Sequence, residues 1–194
     1  MRTSTDKRQR LIEAGLQEFA DKGLEHTKVS NIVKRAGVAQ GTFYLYFQSK
    51  TSLIPAIADD MLQKLLTEQR RRVEPLSTLA EQLEELVDVT FQVTNEYKDV
   101  LALCYSGLAI EGEMNQWETI YEPYYHWMTE LLKKAREDGE LNPNVKEEVR
   151  AKMVISLMEE SAERLYLFSN QDEEASEVRA ELLHMLRASL LHEM

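Results

Sequence analysis

Residues 27–53 read TKVSNIVKRAGVAQGTFYLYFQSKTSL, and the order of residue types in this stretch decides the fold. Thr27 is a helix N-cap residue, followed by Val29, Ile32, Val33 and Ala36 at helical spacing. Gly37 stops that helix, because glycine alone takes a positive φ without steric cost. A second short helix is predicted over 40–47, and Val38 plugs the angle between the two. Two short helices across a tight turn have the geometry of a helix-turn-helix, whose second helix enters the DNA major groove. Residues 40–46 would span about 10 Å as helix, short enough for a groove about 12 Å wide.

The side chains available there suit DNA. Gln40 can pair at two points with adenine, and Thr42 can use its hydroxyl or its methyl. Tyr44 and Tyr46 can donate to phosphates. Thr27 and Lys28 bring a hydroxyl, a cation and unpaired helix N-terminal amides to one spot, an anion site. Lys50 is a second phosphate candidate, and Arg2, Lys7 and Arg8 could add unspecific attraction from an N-terminal arm.

Outward from this stretch, nearly every segment reads helical. Leu11, Gly15 and Phe19, with Ile12 and Leu16, form an apolar stripe ahead of it, stopped at Gly23. A long helix capped by Ser49 follows, with a bend expected at Pro55 and an end at Glu74-Pro75. Residues 87–93 alternate with period two and are rich in β-branched side chains, a strand signal. Helix is still expected, since an isolated strand would leave its backbone groups unpaired. Further helices are predicted over 98–110, 115–137 with a break or kink at Pro123, 144–169 and 172–191. The fold class is all-α, about nine helices. Residues 1–49, which hold the helix-turn-helix, are expected to form one domain and 50–194 a larger helical one, for which the family resemblance given below implies ligand binding and dimerisation.

The chain of 194 residues has a formal net charge of −11, which by itself argues against nucleic acid. The charge is uneven. Residues 1–50 carry nine Lys/Arg against five Asp/Glu, or +4, and the other 144 carry −15. Whole-chain charge therefore does not exclude DNA; it marks the end that would face it. One cysteine allows no intramolecular disulfide, and no apolar run is long enough to span a membrane. The N-terminal stretch does not read as a signal peptide, so a cytoplasmic protein is expected. Enzyme chemistry is not signalled. The four His lack metal spacing such as HExxH, no Gly-rich phosphate loop or GxSxG is present, and Glu159-Glu160-x-x-Glu163 lacks the ExxH of carboxylate metal sites. No cofactor or metal is expected.

The string Thr27-x-Val29-x-x-Ile32-x-x-x-Ala36-Gly37-Val38-x-x-Gly41-Thr42-Phe43-Tyr44-x-Tyr46-Phe47-x-x-Lys50-x-x-Leu53 closely resembles the N-terminal signature of TetR-family bacterial repressors. The match covers about 50 residues without a gap. The resemblance implies a homodimer on a palindromic operator, released by a small ligand. It implies that Thr27 and Lys28 touch phosphate, that Gln40, Gly41 and Thr42 face bases, and that Tyr44, Tyr46 and Lys50 hold the backbone. Ala39 departs from the family's frequent Ser and cannot cap the recognition helix.

A regulator needs a second site. Trp117, Tyr121, Tyr124, Tyr125 and Trp127 put five aromatics within twelve residues, combining apolar area with polar tips. With Cys104, Tyr105, Met114, Met128, Met158 and Tyr166 they are the expected lining for a largely apolar or aromatic effector. Glu111, Glu113, Glu159 and Glu160 read as a solvated face; one buried among the rings would suit a lipophilic cation, and an acyl compound is equally open. The dimer interface is expected on two stripes. One holds Val154, Leu157, Met158, Ser161, Leu165 and Phe168, the other Val178, Leu182, Met185, Leu186, Ser189 and Leu190.

Overall fold

A computed structural model describes residues 4–111, 114–168 and 175–192, with the side chains at 4, 5, 104, 106–111 and 114–117 left aside. The described elements are helices: α1 (Ser4–His26), α2 (Val29–Ala36), α3 (Gln40–Tyr44), α4 (Leu53–Val73), α5 (Leu79–Glu96), α6 (Lys98–Glu111), α7 (Met114–Glu137), α8 (Glu147–Glu163), a π turn at Arg164–Phe168, and α9 (Ala175–Leu190). None of the described helices is long and apolar enough to cross a membrane. The chain divides into two compact units. One comprises residues up to Met61 together with Asp99–Trp117; the other comprises Leu62–Lys98 and the chain from Glu118 onward.

The first unit is organised by α1. Leu11, Ile12 and Phe19 are buried, as are Ile32 and Val33 of α2, Phe43 of α3 and Leu53, Ile54 and Ile57 of α4. Phe43 is fully buried, a contribution of about 1.5–3 kcal/mol for such a side chain. At Gly15 α1 lies against Leu53 of α4: a Cβ there would stand 2.7 Å from Leu53 Cδ1, so a larger residue would displace that buried side chain. Regular helix in α1 breaks at Gly23 (φ 76), as the sequence predicts. Ser49, expected to cap the next helix, instead holds the turn before it, its Oγ accepting from the Ser52 N–H at 3.2 Å while the Ser52 hydroxyl accepts from the Ser49 N–H at 3.2 Å; α4 itself begins at Leu53. Pro55 is the third residue of α4, inside the first turn, where a missing N–H has no helical partner to lose.

In the second unit α5 packs on α8 and α9. Val87, Val89, Thr90, Phe91 and Val93 are all buried in α5, so the period-two alternation is an accident of a helix covered on most of its circumference. Thr78 and Glu81 form its capping box. The interruption expected at Pro123 is not observed; α7 runs as one helix from Met114 to Glu137 with Pro123 inside it. The acidic side of α5 is matched by arginines: Arg72 meets Glu85 at 2.5 Å, Arg187 meets Glu84 and Arg179 meets Asp88. These three acidic side chains of α5 are thus ion-paired and not free in solvent.

Candidate nucleic-acid interface

The turn between α2 and α3 is built as the sequence predicts. Gly37 has φ 62, the left-handed region, and a helix from the preceding element holds it in place. Arg10 of α1 donates through Nη2 to the carbonyls of Ala36 and, at 3.3 Å, Gly37. A Cβ at Gly37 would stand 2.8 Å from that same Nη2. The turn is thus fixed from below by a guanidinium, a role for Arg10 that no spacing in the sequence announces.

An ion-pair network ties α1 to α2. Glu18, almost wholly buried, meets Lys22 at 2.5 Å and Arg35 Nε at 2.7 Å, while Arg35 Nη2 reaches Asp21 at 2.5 Å. The hydrogen bond from Lys22, with Arg35 adding to it, holds the Glu18 carboxyl below its usual range. This tie is present above the ordinary carboxylate range and is lost as pH falls through the lowered value.

On this support α3 presents its outer face. Phe43 is buried beneath it, meeting Tyr44 edge-on (centroids 5.4 Å) and Phe47 at a tilt (5.6 Å). Gln40 and Gly41 are exposed, Thr42 and Tyr46 half-buried, and Tyr44 55% exposed. Ala39 makes no side-chain cap, so the first turn of α3 lacks the hydrogen bond a serine would give. Lys28, at the N-cap of α2, is exposed as well.

Two predicted phosphate contacts face inward instead. The Thr27 side chain is 1% exposed, and its hydroxyl proton is shared between the carbonyls of Gly23 at 2.8 Å and Glu18 at 3.0 Å. It does not cap α2; Lys28 holds the cap position, its N–H donating to Asn31 Oδ1 at 3.3 Å. The Lys50 ammonium donates to the carbonyls of Leu24 (2.6 Å), Glu25 (3.0 Å) and Thr27 (3.0 Å). Those carbonyls are left over where α1 ends, and a cation is their natural partner. Both residues therefore position α2 and do not point at a ligand. Sequence spacing identified the residues and not their direction.

The expected effector residues are drawn from both units. Tyr105 belongs to the first unit and is 44% exposed, while the side chains of Cys104, Met114 and Trp117 lie outside those described. In the second unit Tyr124, Met128 and Met158 are fully buried core members. The Tyr124 hydroxyl accepts from Gln69 Nε2 at 2.7 Å, and Gln69 also donates to Thr90 at 3.1 Å. Tyr121 and Tyr125 pair with ring centroids 5.6 Å apart, Tyr125 carries Lys152 over its face at 4.5 Å, and Tyr166 meets Phe91 edge-on.

Glu159 corrects the expectation of a solvated face. Burial, with Glu163 nearby, pushes its carboxyl up to about 8, against a hydrogen bond from Tyr121 that pulls the other way. Tyr121 is in turn held neutral by burial and by Glu159. Glu160, one residue on, is exposed and pairs with Arg164 at 2.6 Å.

The dimer stripes need correction as well. Val154, Leu165, Leu182, Leu186 and Leu190 are 5% exposed or less and belong to this chain's own core. Leu157, Ser161, Val178 and Ser189 are half-buried, and Phe168 and Met185 are exposed. Val149 and Met153, passed over in the sequence, are 52% and 57% exposed on α8. Helical spacing gives an apolar row; it does not say which side of the row meets its own chain.

Comparison with known proteins agrees with this geometry. A family model described as bacterial regulatory proteins of the tetR family matches residues 11–57. A second, the tetracyclin repressor-like C-terminal domain, matches residues 83–190. The HTH-type transcriptional regulator YvdT of Bacillus subtilis (strain 168) is 40% identical over 187 residues, covering 96% of both chains. Among solved structures, Thermus thermophilus FadR, a TetR-family transcriptional repressor in complex with lauroyl-CoA, superposes with a TM-score of 0.74 at 25% identity, covering 96% of each chain. The fatty acid degradation regulator FadR of Bacillus halodurans has a TM-score of 0.73 at 22% identity, covering 91% of this chain and 94% of its own.

Proposed function

The chain belongs to the TetR family of bacterial transcriptional regulators, and we propose that it is a repressor that binds a palindromic operator as a homodimer and is released by a small, largely apolar effector. DNA reading is assigned to residues 1–49, and effector binding and dimerisation to 50–194. The observation that carries the reading is the outer face of α3. Gln40, Gly41, Thr42 and Tyr44 stand on a buried Phe43, and the turn below is clamped by Arg10. Gln40 and Thr42 are assigned to base edges, Tyr44, Tyr46 and Lys28 to phosphates. Thr27 and Lys50 act through the placement of α2.

The homodimer is assigned to the outward side of α8 and α9, where Val149, Met153, Leu157, Val178 and Met185 leave apolar surface uncovered in one chain. Two recognition helices about 34–36 Å apart would then meet successive major grooves. The effector is assigned to the acyl class, supported by the likeness to a regulator that binds lauroyl-CoA.

A gel shift on the DNA upstream of its own gene tests the DNA reading. The chain should bind tightly and with strong salt sensitivity, and Gln40→Ala with Tyr44→Ala should weaken binding at least tenfold without altering thermal stability. Unchanged affinity in that double variant would remove α3 from the interface. Sedimentation at micromolar concentration should give twice the 22.5 kDa chain mass; a monomer would refute the homodimer. In a thermal-shift panel, lauroyl-CoA should stabilise the chain where a quaternary ammonium compound does not, and the reverse would assign the effector to the cations.

A further inference from the structure

We propose that Leu45 reads the 5-methyl group of a thymine in each operator half-site, making it a specificity-determining residue beside Gln40 and Thr42. The proposal rests on the assignment of α3 to the major groove given above.

Leu45 is 79% exposed, more than any other large apolar side chain among the described residues. A single exposed leucine is ordinary on a protein surface. Its place is not. Leu45 directly follows α3 in helical conformation (φ −74, ψ −21), so it continues the face of the helix one turn beyond Gly41. The two are about 6 Å apart along the axis.

Gly41 explains why that face matters. Its φ is not positive, and a Cβ built there would meet nothing within 4 Å. Nothing in the fold requires glycine at this position, and glycine weakens a helix. A missing side chain that the chain's own packing does not need leaves room for a partner to come close. DNA approaching over Gly41 then brings its base edges to the isobutyl group of Leu45, which has no polar atom and cannot hydrogen-bond.

The major groove offers such a side chain one apolar partner. Thymine carries a 5-methyl group, whereas guanine, adenine and cytosine present only donors and acceptors there. Leu45 therefore favours thymine by covering that methyl, and it penalises bases whose polar groups it would cover without pairing. The flanking tyrosines fit the same arrangement. Tyr44 and Tyr46 sit on either side of Leu45 with hydroxyls that can reach phosphates, bracketing the base that Leu45 touches.

The test uses the full chain. Binding sites are selected from random double-stranded DNA, and each thymine of the best site is then replaced singly by deoxyuridine. That change deletes the methyl and keeps every hydrogen-bonding group. At one thymine per half-site, deoxyuridine should weaken the unaltered chain about fourfold, the worth of one buried methyl. In Leu45→Ala the same replacement should cost nothing, and Leu45→Ala should match the unaltered chain in thermal unfolding because the side chain is exposed. If no deoxyuridine weakens the unaltered chain, or if Leu45→Ala remains equally sensitive, the proposal is overturned. If no sequence is selected at all, the DNA reading on which it stands has failed first.

Discussion

Glu159→Gln should stabilise the second unit, and by more as the pH rises. The sign follows from the direction of the shift. In the folded chain the Glu159 carboxyl titrates near 8, because burial and the neighbouring Glu163 disfavour its charge. In the unfolded chain it titrates at the ordinary 4.5. Below that value both states carry the proton and the residue costs nothing. Between the two values the unfolded chain releases the proton while the folded chain keeps it, so stability falls with rising pH and levels off above the folded value. Each unit is worth about 1.4 kcal/mol, and an order-of-magnitude penalty of about 2–3 kcal/mol is expected by pH 7. Gln is close in shape to the protonated acid and carries no such penalty. Urea unfolding should give nearly equal stability for both chains at pH 4.5 and a gap of that size in favour of Gln at pH 7. Parallel stability profiles across this range would show that Glu159 is ionised in the folded chain.

Lys50→Met should cost about 2–3 kcal/mol in the first unit, measured without any DNA. Methionine keeps most of the length of the lysine stem and loses all three donors. The carbonyls of Leu24, Glu25 and Thr27 then face no cation, and hydrogen bonds to a charged group are among the stronger ones. Thr27 lies just ahead of the Lys28 cap of α2, so the loss is expected to reach that helix. A phosphate contact would behave differently. Removing one lowers the salt dependence of DNA binding by about one counterion and leaves the free protein's stability alone. Unfolding by denaturant, set beside the salt slope of DNA binding, separates the two. Full stability with a reduced slope would return Lys50 to the DNA.

The parts of the molecule legible in the sequence are those where one residue type has one physical use. Gly37 must take a positive φ, and Ile32, Val33 and Ala36 must share a buried face, and each is so placed. What stayed hidden is direction. Thr27 and Lys50 have donors that suit a phosphate or a carbonyl equally, and only the end of α1 decides between them. Glu159 and Glu160 are adjacent and chemically identical; a helical step of about 100° puts one beside Tyr121 and leaves the other in water. Val154 and Val149 differ in the same way. Both are apolar residues of one helix, and the packing of α5 against α8 takes Val154 into the core and leaves Val149 outside. The strand-like run in α5, expected to be helix all the same, has a related cause. Periodicity reports exposure only when one face is exposed, and α5 buries most of its circumference.

The inward turn of the head's cations alters what its charge can do. Arg10, Lys22, Arg35 and Lys50 are each held by carbonyls or carboxylates within the first unit. Lys7, Arg8, Lys28 and Lys34 remain at the surface. The entropy of binding a polyanion comes from the small ions it sheds, and only a cation that reaches a phosphate displaces one. Part of the positive charge of residues 1–50 is therefore scaffold. On the DNA reading proposed above, this arrangement would weaken loose, sequence-blind adhesion to DNA and leave a larger share of the grip to contacts that depend on its bases.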